Sequence, residues 1–193
     1  MLKKNSLLTL ASCIALSFFA TTTQAEKPVA ETAEKSHVLD VFGAKMTVPK
    51  AFKETKPGNR MIHAEFKASE GKGEEAKTAR VYMMPSGGGI EPNVKRWEDQ
   101  FPGGDEKAEK REEIKLGEWK AHIVDVNGTF AEKVGGGGPF APGKTVQRPD
   151  YAMTGAIVVH PEGRLYFVKM VGPMSVVKAN RKAFVEMIKS VKP

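Results

Sequence analysis

The chain has 193 residues, of which 40% are hydrophobic and 27% are charged, so it has the size of one domain with room for an apolar core. Its single cysteine, Cys13, excludes a disulfide framework. The formal net charge of +7 comes from basic residues interleaved with acidic ones, as in residues 106–113, which is typical of a solvated surface and not of a nucleic-acid-binding face.

The first 25 residues have the pattern of a cleavable signal peptide. Lys3 and Lys4 precede an almost uncharged apolar run over residues 7–20, and Thr23-Gln24-Ala25 places small residues at the positions that signal peptidase reads. The apolar run is too short to span a bilayer comfortably. We therefore expect an exported protein, periplasmic or secreted, with residues 1–25 removed and no transmembrane segment in the mature chain.

A lipid anchor at Cys13 is the alternative to a cleaved chain without an anchor. Leu10-Ala11-Ser12-Cys13 resembles the motif in which a cysteine is lipidated and becomes the first residue. Lipidation would leave the apolar residues 14–20 at the start of the mature chain, where a polar tether is expected, and this argues against the anchor.

Residues 26–36 are polar and aperiodic, which predicts a disordered tether before a single domain over residues 37–193. Within that domain, alternation of period two predicts a first hairpin over residues 38–48, ended by Pro49. Two further strands are predicted where alternate apolar residues share one face, and a turn-rich link over residues 71–75 joins them. The apolar residues of these strands are Ile62, Ala64 and Phe66, then Ala79, Val81 and Met83.

The period changes from two to that of a helix after the fourth strand. The apolar residues at helical spacing are Ile90, Val94, Trp97 and Phe101. Pro92 suits the first turn, because a missing N–H costs nothing there, and Pro102-Gly103-Gly104 is expected to stop the helix. The strands predicted after it cover residues 109–116, 118–126, 151–160 and 165–171. The glycines and prolines of residues 132–149 predict a long loop, and Gly172-Pro173 is expected to break the last strand.

Residues 175–190 predict an amphipathic helix that covers a sheet. One arc of it carries Val176, Asn180, Ala183, Phe184, Met187, Ile188 and Val191, and the opposite arc carries Lys178, Lys182 and Lys189. We therefore expect Phe184 and Met187 to be buried and Lys182 to face solvent.

Strands joined by hairpins, with helices only after the fourth strand and at the end, predict an α+β fold in which helices flank an antiparallel sheet. Asn93-Val94-Lys95-Arg96-Trp97-Glu98-Asp99-Gln100-Phe101 looks like the first helix of many exported bacterial proteins of unknown function. Gly163-Arg164-Leu165-Tyr166-Phe167-Val168-Lys169-Met170-Val171-Gly172-Pro173, followed by a helix that closes on Met187-Ile188-Lys189-Ser190-Val191, resembles the ending of the PsbP-like family. This resemblance in the order of segments covers most of residues 37–191 and implies an α/β/α sandwich. Members of that family differ in function, so it implies no activity.

Residues 138–145, Gly-Pro-Phe-Ala-Pro-Gly-Lys-Thr, match the pattern of a phosphate-binding loop. Pro139 and Pro142 remove two backbone donors, and Pro149 prevents a helix of useful length after Thr145. No buried strand is predicted before the segment. We therefore expect it to be a flexible loop that binds no nucleotide.

Other candidate sites are weaker. Ser86-Gly87-Gly88-Gly89 leads into the first helix, either as an anion-binding nest or as a turn that needs glycine, and the turn is favoured. The four histidines have no metal-ligand spacing, and no nucleophile motif surrounds any of three serines considered. The residues concerned are His37, His63, His122, His160, Ser86, Ser175 and Ser190. We expect no catalytic residue, metal or cofactor.

A polar strip on the first helix is the candidate binding site. Asn93, Arg96 and Gln100 lie beside the apolar stripe that contains Trp97 and Phe101. The strip has the groups to bind a carboxylate or a peptide backbone. The alternative, which is favoured for polar groups near a core, is that it donates hydrogen bonds to the protein's own loops.

The lack of a catalytic motif favours a non-enzymatic exported accessory or binding module, whose partner is an unknown envelope protein or a small ligand and not a nucleic acid. The alternative is a small hydrolase or metal-dependent enzyme with a site assembled from His63, His122 or His160 and acidic residues. Histidines and acids that converge in a deep pocket would favour the enzyme. An open groove or a flat face would favour binding.

Overall fold

A computed structural model of the protein describes residues 36–192, except residue 72, residues 106–109 and residues 136–142. The predicted signal peptide, the lipidation motif at Cys13 and all but the last residue of the predicted tether therefore lie outside the described residues. Within the described part of the chain, no helix combines the length and the apolar character that crossing a membrane requires.

The described residues form nine strands, one turn of 3₁₀ helix and two α-helices. The strands are β1 (Val38–Val41), β2 (Ala44–Thr47), β3 (Lys53–Thr55), β4 (Ala64–Glu70), β5 (Lys77–Ser86), β6 (Lys110–Leu116), β7 (Trp119–Val134), β8 (Lys144–Val159) and β9 (Leu165–Pro173). The helices are α1 (Ile90–Glu98) and α2 (Met174–Lys189), and the 3₁₀ turn covers Gly73–Glu75.

One antiparallel sheet dominates the fold. β1 and β2 form a separate hairpin, and the other seven strands pair in the order β3-β4-β5-β9-β8-β7-β6, with each neighbouring pair antiparallel. The prediction of an α+β fold with an antiparallel sheet and two helices is confirmed. β3 was not predicted, because its three residues are Lys-Glu-Thr and carry no apolar alternation.

The two helices pack against opposite faces of the sheet. Tyr166 and Val168 of β9 belong to the buried cluster that contains the apolar side of α2, and we call this side of the sheet the α2 face. Phe167, between them, belongs to the cluster that contains Val94 and Trp97 of α1, and we call that side the α1 face. Successive side chains of a strand point to opposite faces, so each strand contributes to both clusters.

The predicted apolar arc of α2 is confirmed. Phe184 is 0% exposed and Met187 is 1% exposed, whereas Lys182 faces solvent. The β1–β2 hairpin packs into the same cluster through Val41 and Met46, so α2 and the hairpin together close the α2 face.

α1 is held by the turn before it and by the sheet beneath it. The Asn93 amide, which is fully buried, donates hydrogen bonds to the carbonyl oxygens of Gly87 at 3.1 Å and Gly89 at 2.8 Å. The Trp97 ring lies against Gly155 of β8, where a Cβ would come within 2.6 Å of Cζ3. Because only a glycine leaves room for the indole, this contact sets how closely α1 approaches the sheet.

The predicted loop over residues 132–149 is wrong. β7 continues through Val134 and β8 begins at Lys144, and these two residues are register partners at the end of a long antiparallel pair. Residues 136–142, which lie between the two strands, are outside the described residues. We call residues 127–134 and 144–151 the β7–β8 arm.

A register irregularity explains how a proline enters this pair of strands. The register shifts between Gly128 and Phe130, so Pro149 and Asp150 have no ladder partners. Pro149 therefore gives up no ladder hydrogen bond, and Asp150 has a positive φ of 56°. β9 continues through Pro173, two residues beyond the predicted end at residue 171, and ends there before α2 begins at Met174. Proline is accommodated at the last position of a strand, so the predicted break lies at Pro173 itself.

Candidate functional site

A groove of about 680 Å³ opens on the α1 face of the sheet, beside the C-terminal end of α1. α1 has only nine residues and covers part of that face, so side chains of β4, β5, β9 and the β7–β8 arm remain accessible. We call this cavity the α1 groove. Its lining residues are Glu65, Lys67, Thr78, Arg80, Tyr82, Arg96, Asp99, Gln100, Phe130, Ala131, Glu132, Lys133, Tyr151, Val171 and Gly172.

Each carboxylate that lines the α1 groove is bound to a basic side chain of the protein. The pairs are Glu65–Arg80, Asp99–Lys95 and Glu132–Arg148. In the first pair, the Glu65 carboxylate accepts hydrogen bonds from Arg80 Nε at 2.6 Å and Nη2 at 2.9 Å. These bonds hold the pKa of the Glu65 carboxyl below its usual range. The negative charge of the groove is therefore already partnered.

Four basic side chains in or beside the groove, Lys67, Arg96, Lys133 and the buried Lys169, form no salt bridge among the described residues. No carboxylate among the described residues lies within salt-bridge distance of Arg96 or Lys169. Arg96 is exposed and lines the groove, whereas Lys169 is only 5% exposed. The end of the groove near α1 therefore carries positive charge that the protein's own acids do not neutralise.

Lys169 occupies a mostly aromatic enclosure behind the groove wall. Its Nζ donates a hydrogen bond to Gln100 Oε1 at 3.2 Å and lies 4.9 Å from the centre of the Trp97 ring and 5.9 Å from that of Tyr82. Burial, together with the positive charge of Arg96, lowers the pKa of Lys169 to about 7. The aromatic rings offset only part of the cost of burying the charge.

Three half-buried aromatic side chains give the groove an apolar lining. Tyr82, Phe130 and Tyr151 line it from three different strands. Phe130 stacks on Phe101 with ring centres 5.0 Å apart, and its ring is nearly parallel to that of Tyr151. Burial raises the pKa of the Tyr82 hydroxyl, so this group stays neutral at ordinary pH. The groove therefore combines aromatic surface with uncompensated positive charge.

The structure divides the polar strip predicted on the first helix. Arg96 and Gln100 line the α1 groove, although Gln100 lies in the turn after α1 and not in the helix. Asn93 lies away from the groove, and its amide group holds the turn before α1. Its Oδ1 atom is buried without a hydrogen-bond partner in the described residues.

Sequence reasoning missed Lys169 and the aromatic residues of the groove. One signal was present, because Lys169 is the only charged residue in the apolar strand Leu165–Pro173. A lone lysine in a strand that is buried on both faces predicts an unusual environment. Tyr82, Phe130 and Tyr151 carried no comparable signal, since strands that are distant in the chain bring them together.

The Ser86–Gly89 segment behaves as a turn. Gly88 has a positive φ of 86°, and Gly89 precedes α1 without a side-chain hydrogen bond. Two of its carbonyl groups bind the Asn93 amide. The glycines therefore have a structural explanation that needs no anion.

The phosphate-loop match is only partly described, since residues 138–142 lie outside the described residues. Lys144 begins a strand, so no helix starts at the lysine as nucleotide binding requires, and this prediction is confirmed. A strand does precede the segment, because β7 runs to Val134, but residues 127–134 of it are not buried, so the prediction that no buried strand precedes the segment is not contradicted.

The histidines do not converge on one site in the described residues. His63 Nδ1 lies 2.6 Å from the Tyr166 hydroxyl, and His160 packs edge-on against Trp119. His122 lies on β7 with Glu113 3.8 Å away, on the opposite face from Trp119. No group of three or more His, Cys, Asp or Glu side chains in the described part of the chain is arranged to hold a metal ion.

Comparison with known proteins adds no family to this description. No protein-family model matches the sequence. No curated protein matches it with significant similarity. The fold defines a protein of the α+β class with an open groove on one face of its sheet.

Proposed function

We propose that this protein is a non-enzymatic exported binding module that holds a small organic anion in the α1 groove. The observation that carries the proposal is that Arg96 lines one end of the groove and Lys169 is buried behind the wall there, with no carboxylate of the described residues bound to either. A bound anion would supply the missing negative charge in a partly desolvated place, where charge pairs are stronger than in water.

A small ligand fits the groove better than a peptide strand. β5 and β9, which contribute Tyr82 and Val171 to its lining, are interior strands that pair with a neighbour on both sides. Their backbone groups are not free to add another strand, so recognition has to use side chains. Of the two ligands considered for the polar strip, a carboxylate is therefore favoured over a peptide backbone.

The groove also favours binding over catalysis. It is open, and each of its carboxylates is committed to a basic partner, so none is free to act as a general base. The histidines of the enzyme alternative, His63, His122 and His160, do not line it. A binding module remains the proposal that these residues support.

Two parts of the proposal rest mainly on the sequence. The order of strands and helices, with α1 and α2 on opposite faces, is compatible with the PsbP-like sandwich that the sequence resembles. Export rests on the pattern of residues 1–25. Intact mass of the protein from its native host should correspond to a chain that begins at Glu26. A mass that shows a diacylated Cys13 would establish the lipid anchor instead.

Titration calorimetry with acetate, benzoate and the neutral amide benzamide tests the binding function. We expect at least one carboxylate to bind saturably, and Arg96→Ala to weaken that binding about tenfold or more, because hydrogen bonds to charged groups contribute about 1.5–3 kcal/mol. Lys178→Ala, which removes an exposed lysine of α2, is the matched control and should bind as tightly as the unmodified protein. The proposal fails if neither carboxylate binds or if Arg96→Ala has no effect.

A further inference from the structure

We propose that the α1 groove takes an aromatic carboxylate together with one proton, and that Lys169 binds this proton when the ligand enters. This inference rests on the proposed function and adds to it the class of ligand and a linkage to pH. It places the carboxylate near Arg96 and Lys169 and the ring of the ligand along the aromatic lining.

The lining of the groove supports an aromatic ligand. Tyr82, Phe130 and Tyr151 each present a half-buried ring to it, and Val171 adds an apolar side chain to the lining. Aromatic rings prefer stacked or edge-on contacts with other rings, so a planar ring gains more here than an alkyl chain of similar size. The positive charge lies at the α1 end of the same cavity, which orients the carboxylate toward Arg96.

The enclosure of Lys169 supports proton uptake. In the free protein Nζ has a neutral amide oxygen, two aromatic rings and a second cation as its surroundings, which disfavours the ammonium form. An anion within a few ångströms reverses this balance, since an opposite charge favours the charged form. The pKa of Lys169 therefore rises from about 7 when the ligand binds.

None of the groups that face Lys169 can take up the proton in its place. From α1 the group is the cation Arg96, and from the turn after α1 it is the neutral Gln100. From β5 the group is Tyr82, whose raised pKa keeps it neutral, and from β8 the register partner of Lys169 is Gly155, which has no side chain.

The step is a proton transfer without covalent chemistry. The ligand enters as a carboxylate, and the lone pair of the neutral Lys169 amine takes a proton from the buffer to form an ammonium group. The bound state then contains one ion pair more than the free state. No oxidant, reductant or leaving group takes part.

Calorimetry of benzoate binding to the full chain at about pH 8, in phosphate and in Tris, measures the uptake, because these buffers differ in ionisation enthalpy. A group of pKa about 7 is about nine-tenths neutral at that pH, so close to one proton should be taken up per benzoate. Lys169→Met should abolish the uptake. Lys178→Met, at an exposed lysine of α2 that does not line the groove, is the matched control and should leave it unchanged.

The outcomes separate this inference from the function on which it rests. Benzoate binding without proton uptake, or tighter binding of acetate than of benzoate, overturns the inference and leaves the binding function standing. Failure of every organic anion to bind overturns both. Should Lys169→Met fail to fold, carbon-13 NMR of the unmodified protein's lysine side chains decides. One lysine should titrate near pH 7 in the free protein, and benzoate should raise its pKa. The absence of any such lysine contradicts the inference.

Discussion

The two faces of the sheet differ in how completely they are closed. On the α2 face, a 16-residue helix and the β1–β2 hairpin bury a continuous apolar cluster that includes Phe66, Tyr166 and Phe184. On the α1 face, a nine-residue helix covers a smaller cluster and leaves a groove with a buried lysine behind its wall. The same strands serve both faces, so the difference lies in what packs against them.

This difference indicates which face stabilises the protein and which one binds. Burying apolar surface contributes about 25 cal/mol per Å², so the closed α2 face supplies much of the stability. Burying a lysine without a carboxylate lowers stability, and a strand position on the α1 face that held an apolar residue would avoid that cost. We infer that Lys169 serves binding and not folding.

The largest effect is expected on the α2 face. Phe184→Ala removes a fully buried ring and leaves a cavity, so it should lower the free energy of unfolding by about 3–5 kcal/mol. Lys182→Ala, on the exposed side of the same helix, should change it by less than about 0.5 kcal/mol. Chemical denaturation measures both. Equal stabilities for these two variants would show that α2 does not close the core.

An intermediate effect is expected where α1 meets the sheet. Gly155→Ala places a methyl group 2.6 Å from Trp97 Cζ3, so the indole has to move, at a cost of about 1–3 kcal/mol, and the α1 groove should lose its shape. Gly87→Ala is the matched control, because its Cβ meets nothing within 4 Å. Tryptophan fluorescence and denaturation should change only in the first variant. An unchanged Gly155→Ala protein would contradict the role given to this contact.

Lys169→Met should change how stability depends on pH. The folded protein releases the Lys169 proton near pH 7, whereas the unfolded chain holds it up to about pH 10.5. Between these values the unfolded chain binds more protons, so Lys169 makes the free energy of unfolding rise with pH, by at most about 1.4 kcal/mol per pH unit. Lys169→Met lacks this rise and should be the more stable protein below pH 7, by a margin that shrinks toward pH 10. If the free energy of unfolding depended on pH in the same way in both proteins, Lys169 would not be a buried amine without a carboxylate partner.

The smallest effect is expected at Lys144, which lies at the start of β8 and belongs to neither buried cluster. Lys144→Ala should fold normally, with a change in stability below about 0.5 kcal/mol. Calorimetry with ATP and magnesium should give no saturable heat for either protein. Micromolar ATP binding that Lys144→Ala abolishes would restore the phosphate-loop interpretation.

The parts of the fold that the sequence predicted are those where one periodicity dominates a segment. α2 shows this, because Phe184 and Met187 repeat at helical spacing opposite a row of lysines. The β7–β8 arm was not predictable, because a proline such as Pro149 and a glycine-rich stretch normally interrupt a strand. The register irregularity that accommodates Pro149 depends on pairing between two strands and not on either strand alone.

The candidate site was predictable only in the part that a single helix carries. Arg96 and Gln100 lie one turn apart on or just after α1, so their shared position follows from helical spacing. Lys169 and Tyr82 come from β9 and β5, which are adjacent in the sheet but distant in the chain. Their meeting depends on strand order, which no local pattern encodes.

Methyl NMR during a benzoate titration tests the central claim, that the α1 face binds and the α2 face does not. Val171 and Val168 make a matched pair, because both lie on β9 but on opposite faces. We expect the Val171 methyl resonances, in the lining of the α1 groove, to shift saturably while those of Val168 stay in place. Shifts centred on Val168 and the residues of α2, with Val171 unchanged, would contradict the account.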